Sequence, residues 1–404
     1  MHPLHLGYAL VGVLAVLLAF WSSTIRRAPV SEPLLALLLG IVAGPVLGLI
    51  DLAHHHAAAL MLETSRVLLA ISLMAVALRF SATEYRSVVC PVGLLLLVVM
   101  VVMAAVSAGL AWLVLGLPLA MAVLLGTCLA PTDPVLASSI VSGGPAEREL
   151  PARLRRIISG ESGANDGLAF VLVVLALSAA APRPGGGQVV EAVWGVLGAV
   201  LVGLAVGHAA GRAVRAAEAR EQVDEGSLLI FAVVLGVAAL GVARMARTDA
   251  VLAVFVTGLA YNRMIGRRPR AAEQGLDDAL TRYLVLPLFF LLGLEIPWRQ
   301  WWEFGWPAAV FAVLVLLLRR LPAVLASRPV LRMPWRDLIF LGWFGPIGVS
   351  ALFYLTYSYG QGARDSRLWA AGSLVVAVST LAHGVSAPFG RRWYARRRAT
   401  VEPG

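Results

Sequence analysis

Thirteen stretches of mostly apolar residues follow one another along the 404-residue chain, near 4–21, 33–50, 66–80, 91–115, 119–141, 156–179, 188–211, 227–243, 248–262, 281–296, 305–321, 337–358 and 367–387. A helix needs about 20 such residues to cross the hydrocarbon of a bilayer. Backbone groups in lipid must bond internally, which leaves helices or closed barrels, and stretches of this length select helices. The expected fold class is an all-α polytopic membrane protein with about 13 transmembrane helices. Composition agrees: 59% of residues are hydrophobic and 14% charged, against about 25% charged in soluble domains. A water-soluble globule is excluded.

The net charge of +10 arises from 33 basic residues, all of them arginine. With thirteen spans, 26 of these fall in the tail and in loops on the tail's side, Arg319 and Arg320 counted among them; the other seven lie opposite. Basic residues concentrate on the cytoplasmic side of membrane proteins, so this asymmetry predicts the N-terminus outside and the C-terminus inside. Topology thereby accounts for the charge, and nucleic acid drops out as a partner. The stretch from Leu4 to Phe20 is preceded by no basic residue and followed by Arg26 and Arg27, and so reads as a retained first helix rather than a signal peptide. Arg183 to Gly187 reads as an external linker and Glu218 to Glu225 as a charged internal turn. Cys90 and Cys128 provide no disulfide framework or paired-cysteine metal site.

An ionisable side chain at bilayer depth costs about 2.5–3.5 kcal/mol on insertion scales, so the few present are candidates for function. The fifth span contains Pro131-Thr132-Asp133-Pro134, and the sixth contains Glu161-Ser162-Gly163-Ala164-Asn165-Asp166-Gly167. On a helix, Ser162 and Asp166 share one face, and Glu161 and Asn165 the neighbouring one. Pro131 and Pro134 remove backbone donors, so the fifth span should be broken. Gly345-Pro346-Ile347-Gly348 predicts a second break, in the twelfth span. If spans one to six and eight to thirteen are inverted repeats joined by the seventh, each break lies in the fifth span of its half. Paired interruptions of this kind point to a midplane site in a secondary transporter.

Other features carry less. Thr-Asp-Pro is often a turn or helix cap, but here apolar residues flank it on both sides. Gly163 and Gly167 suit close helix packing. His54, His55 and His56 are adjacent in a short external loop and cannot all face one metal ion. His208 and His383 read as interfacial or packed. Asp249 and Glu295 fall near external span ends, where solvated or arginine-paired carboxylates are ordinary. Ser159-Gly160 with His383 is the nearest approach to an intramembrane protease, but the nucleophile motif needs glycine where Ile157 stands, and no His-Glu-x-x-His or Gly-x-Gly-Asp occurs. A channel is the remaining alternative of another class.

Thr132-Asp133-Pro134 followed by Glu161 to Gly167 resembles the monovalent cation:proton antiporter-1 family, which includes the bacterial NhaP exchangers. The likeness covers the whole chain in span number and order. It implies that Asp166 is the ion- and proton-binding carboxylate, with Asp133, the Ser162 hydroxyl and the Thr132 carbonyl completing the Na⁺ site and Glu161 acting nearby or through water. Asn165 resembles the neutral partner found in electroneutral members; Pro131, Pro134, Gly345, Pro346 and Ile347 would support the broken crossing. Most bacterial members carry arginine in the motif where this chain has Ile347, a form closer to fungal plasma-membrane sodium/proton antiporters. Glu161 is thereby expected to lack its usual partner.

The resemblance further implies a dimerisation domain from 1–90 and 227–300, a core transport domain from 91–180 and 305–390, a linker helix at 188–213 and a basic cytoplasmic tail at 391–404. The expected activity is exchange of Na⁺ or Li⁺ for H⁺ by alternating access, electroneutral, in a homodimer in the cytoplasmic (inner) membrane and without a cofactor. A K⁺/H⁺ antiporter of the same fold is the alternative, since carboxylate, hydroxyl and carbonyl oxygens suit hard cations without fixing cavity size.

Overall fold

The computed structural model describes residues 31–50, 54–182, 187–220, 225–265 and 271–399, together with 12, 13 and 16. The expected first span, 4–21, lies almost wholly outside the described residues. Among the described residues the regular structure is helical throughout. Six helices are long and apolar enough to cross a membrane, among them Val89–Leu115, Ala152–Ala180, Val190–Glu218 and Ser366–Arg396; five shorter apolar helices accompany them. Large apolar side chains such as Leu97, Leu113, Leu201 and Val313 stand exposed on the outer surface. A bilayer accommodates such a surface and water does not.

The third span begins earlier than expected, running His54–Arg79 rather than from residue 66. Glu63 and Arg66 interrupt the apolar window, but they pair one helical turn apart and the surrounding alanines and leucines favour helix.

The two expected breaks are present. The fifth span divides into Leu119–Cys128 and Pro134–Val141, the twelfth into Trp335–Trp343 and Val349–Gly360. Each break follows from local chemistry. Pro131 has no backbone N–H to continue the first half, and Pro134 occupies the first turn of the second half, where a missing donor costs nothing. The two unwound segments meet, and the Asp133 N–H donates to the Pro346 carbonyl at 2.9 Å. Gly348 permits that approach, because a Cβ there would stand 2.7 Å from Leu136 Cδ1 and press on the Asp133 carboxylate.

Around the crossing, the sixth-span helix Ala152–Ala180 packs on both halves of span five and on Val349–Gly360. Its other face meets Ala250–Ile265 so closely that a Cβ on Gly167 would lie 2.8 Å from Leu252 Cα. His54–Arg79 touches Ala250–Ile265, Ala271–Leu294 and Val349–Gly360.

The eleventh span departs from expectation. It runs Trp306–Leu318, breaks at Arg319 and Arg320, and resumes as Leu321–Ala326. Both arginines are 2% exposed, which corrects their assignment to a cytoplasmic loop. They point into the crossing, where the broken helices supply acceptors that no apolar span could.

Candidate functional site

Helix ends carry partial charges, positive at the N-terminus and negative at the C-terminus, and inside a protein these need partners. Asp133 serves two N-termini at once. Its Oδ1 accepts from the N–H groups of Val135 at 2.7 Å and Leu136 at 3.3 Å, capping Pro134–Val141, while Oδ2 accepts from the Val349 N–H at the start of the second twelfth-span half. Arg319 serves the opposite ends. Nη1 donates to the Leu129 carbonyl, with Pro131 O at 3.4 Å, and Nη2 donates to Gly345 O at 2.7 Å. One carboxylate and one guanidinium thus match the four helix ends that the two breaks create.

Glu161, expected to lack its usual partner at position 347, is paired from another span. Arg320 pairs with it in a fork, Nη1 to Oε1 and Nη2 to Oε2, the latter at 2.7 Å, while its Nε donates to Leu341 O at 3.0 Å. Both side chains are 3% exposed. The cation comes from the eleventh span instead of position 347. Ile347 is buried, and its N–H donates to Ser379 Oγ at 2.8 Å.

Asp166 is different in kind. It is fully buried, yet among the described residues neither carboxylate oxygen makes a hydrogen bond. Its backbone carbonyl accepts from the Tyr354 hydroxyl. Next to it, Asn165 Nδ2 donates to Thr132 Oγ1 at 2.7 Å, which fastens the sixth span to the unwound stretch of the fifth; Asn165 Oδ1 is unpartnered. The Ser162 hydroxyl donates to Ile158 O at 2.7 Å, leaving its lone pairs available. The structure therefore gathers Asp166, Asn165, Ser162, Thr132 and Asp133 at one crossing. Asp133 is committed to backbone donors, Glu161 to Arg320, and only Asp166 presents both oxygens free.

Three residues gain importance that the sequence did not convey. Asp249, expected as a solvated or arginine-paired carboxylate, is 4% exposed. Its Oδ1 caps Ala250–Ile265 through Val251 N at 2.8 Å and Leu252 N at 3.1 Å, and Oδ2 has no hydrogen-bond partner among the described residues. Ser350, on the second half of the twelfth span, is buried beside Asp166. His383 is packed, as expected, but its position is informative: Nε2 lies 3.0 Å from Trp343 O and Nδ1 lies 3.1 Å from Ser379 Oγ. Together with the Ile347 N–H on Ser379, this stitches the thirteenth span across the twelfth-span break. His208 is half-buried on its helix and Glu295 half-buried just past Leu294. The side chains of His54, His55 and His56 lie outside the described residues. Among the described residues no cluster of three histidine, cysteine, aspartate or glutamate side chains is arranged to hold a metal ion. The donors at Asp166 are carboxylate, hydroxyl and carbonyl oxygens, which suit a hard monovalent cation as cargo.

Comparison with known proteins bears on this geometry. Residues 12–390 match the family described as sodium/hydrogen exchanger, transmembrane. The Na(+)/H(+) antiporter 2 of Zygosaccharomyces rouxii is 31% identical over 374 residues, covering 88% of this chain and 46% of that protein. The chain thus spans less than half the length of that fungal relative. The Na(+)/H(+) antiporter NhaP of Pseudomonas aeruginosa is 30% identical over 358 residues, covering 80% of this chain and 79% of that protein. The solved sodium proton antiporter MjNhaP1 of Methanocaldococcus jannaschii shares the fold, with a TM-score of 0.77 over 97% of this chain and 99% of that one, at 17% identity.

Proposed function

Because the chain belongs to the transmembrane sodium/hydrogen exchanger family, we propose that it is a secondary antiporter that exchanges Na⁺ or Li⁺ for H⁺, with ion and proton competing for Asp166. The observation that carries this reading is the Asp166 carboxylate, buried at the crossing with both oxygens uncommitted. A carboxylate in that state takes either a proton or a hard cation. Ser162 and the Thr132 carbonyl complete the cation's oxygen shell, and Asn165 holds Thr132 in place.

Alternating access follows from charge. In an elevator-like cycle, spans four to six and eleven to thirteen move as a core against a dimer platform of spans one to three and eight to ten. The loaded site crosses and the empty, charged site does not, which makes exchange obligatory. The protein is placed in the cytoplasmic membrane as a homodimer, N-terminus outside and C-terminus inside; the arginine bias persists when Arg319 and Arg320 are withdrawn from the count. K⁺ remains the alternative cargo, because the oxygen donors alone do not fix the ion's size.

The test is proteoliposome uptake of Na⁺, Li⁺ and K⁺, each against an imposed pH gradient. Proton movement driven by Na⁺ or Li⁺ is the expected result. A response to K⁺ alone selects the alternative, and conductive current without proton coupling indicates a channel.

A further inference from the structure

Buried serine and threonine hydroxyls in this protein's helices are mostly parked on a carbonyl one turn back. Ser162 donates to Ile158 O, Thr356 to Leu352 O at 2.7 Å, and Thr380 to Val376 O at 2.8 Å. Ser350 is the exception at the crossing. It is 1% exposed, and its hydroxyl has no hydrogen-bond partner among the described residues. The break explains why. Ser350 lies in the first turn of Val349–Gly360, so the carbonyl four residues back belongs to Pro346, in the unwound segment, where it already accepts the Asp133 N–H.

The free hydroxyl faces the Asp166 carboxylate, both of whose oxygens lack a hydrogen bond among the described residues. Tyr354, four residues further along and therefore on the same helix face, donates its hydroxyl to the Asp166 backbone carbonyl. That contact directs this face of the twelfth span at the Asp166 turn of the sixth. The Ser350 hydroxyl lies within interaction reach of the Asp166 side chain, although the two are not aligned in a hydrogen bond. Two buried oxygen groups, each lacking a partner, thus meet from opposite halves of the chain.

We propose that Ser350 is a further ligand of the transported cation, closing the Asp166 site from the twelfth span. This inference rests on the antiport reading and deepens it. A hydroxyl serves each state of such a site. It donates to the empty carboxylate, accepts from the proton-loaded one, and turns its lone pairs to a bound cation. Being neutral, it leaves the charge count of exchange unchanged. By adding an oxygen at a fixed position, it narrows the coordination shell and favours Na⁺ and Li⁺ over the larger K⁺.

The test compares wild type, Ser350→Ala and Ser350→Thr in proteoliposomes, measuring exchange as a function of Na⁺, Li⁺ and K⁺ concentration. Cation-induced thermal stabilisation of the same purified proteins provides a binding readout independent of turnover. Ser350→Ala is expected to raise the apparent KM for Na⁺ and Li⁺ about tenfold while maximal rate stays within about twofold, the pattern of lost ligand binding. KM for K⁺ changes less, and Ser350→Thr, which keeps the hydroxyl, returns KM to near wild type. An unchanged Na⁺ KM and unchanged stabilisation midpoint in Ser350→Ala overturn the assignment, as does a fall in rate alone that threonine fails to rescue. If the wild type exchanges none of the three cations and is stabilised by none, the antiport reading fails and this inference with it. Failure in Ser350→Ala beside an active wild type removes this inference only.

Discussion

Arg320 Nη2 lies 2.7 Å from Glu161 Oε2 in a forked ion pair that joins the break in the eleventh span to the sixth span. At 3% exposure for each side chain, neither charge can be left to solvent. Removing one partner from such a pair costs about 3–5 kcal/mol, whereas replacing both is far milder. Arg320→Gln and Glu161→Gln should therefore each lower the unfolding temperature sharply, and the double variant should recover most of the loss. Thermal unfolding of the four proteins in one detergent measures this; additive losses would show that the two side chains do not act as a pair.

Asp133 holds two helix starts, so its loss should be structural as well as functional. Each cap contributes about 1 kcal/mol, and Asp133→Ala forfeits both. Asp133→Asn keeps one acceptor oxygen but turns an amide donor toward a backbone N–H, at Val349 or at Val135 and Leu136. Both variants are expected to lose exchange and unfolding temperature together. Wild-type thermal stability in Asp133→Ala would show that the caps contribute nothing.

Asp166→Asn should separate those two effects. An amide keeps the side chain's shape, and no hydrogen bond to the carboxylate is broken, so the fold is retained. The amide neither takes a proton near neutral pH nor balances a cation. Exchange should fall to background, and the stabilisation by Na⁺ seen in wild type should vanish. Exchange at wild-type rate would place the site elsewhere.

Glu84 provides a pH prediction at the connection between the third and fourth spans. It caps the short helix Ala82–Arg86 through Ser81 and accepts from Arg156 Nη2 at 2.6 Å. Burial pushes its carboxyl up, but the Ser81 bonds and the Arg156 charge outweigh that and hold it below the ordinary value of 4.5. A carboxylate depressed in the folded state contributes stability above its unfolded pKa and loses it as pH falls through the folded pKa. The contribution is thus constant through neutral pH and disappears only in acid, below about 4. Glu84→Gln should lower thermal stability at pH 7, converge with wild type in acid, and leave the pH profile of exchange between about pH 6 and 9 in place. A shifted exchange profile would make Glu84 part of the pH response.

The parts of this architecture that were legible in the sequence are those with local causes. Pro131, Pro134, Gly345 and Pro346 stop helices wherever they stand, so both breaks could be placed, and a run such as Glu161 to Gly167 is conspicuous in an apolar span. What the sequence concealed is tertiary. Arg319 and Arg320 follow an apolar window and read as a loop by composition alone; only the meeting of two breaks gives them buried acceptors. The family resemblance puts the partner of Glu161 at position 347, where this chain has isoleucine, and nothing local in the sequence points to Arg320 in its place. Asp249 sits at a helix start, where capping is ordinary, and its burial is tertiary: its N–H donates to Gly195 O of the seventh span, and the turn it caps meets Gly167 of the sixth.

Electrical behaviour follows from the same arrangement of charges. The Glu161 and Arg320 charges balance within one pair, and Asp133 and Arg319 stand at opposite helix ends with opposite signs. If Asp166 alone changes occupancy, its proton-bound and Na⁺-bound forms carry the same net charge, and the two halves of the cycle cancel. A membrane potential then favours neither direction, although each uncompensated charge moved across 100 mV would contribute about 2.3 kcal/mol. Among the described residues Asp249 is a second buried carboxylate with an oxygen that makes no hydrogen bond, and the turn it caps packs on the Asp166 turn where Gly167 meets Leu252. It is therefore the residue whose participation would break the balance. Na⁺/H⁺ exchange should be measured in proteoliposomes with and without a K⁺ potential set by valinomycin. The expected rate is independent of the sign of that potential, in wild type and in Asp249→Asn alike. The electroneutral cycle is falsified if the wild-type rate follows the sign. Loss of that dependence in Asp249→Asn would then assign the extra charge to Asp249, and its persistence would return attention to Glu161.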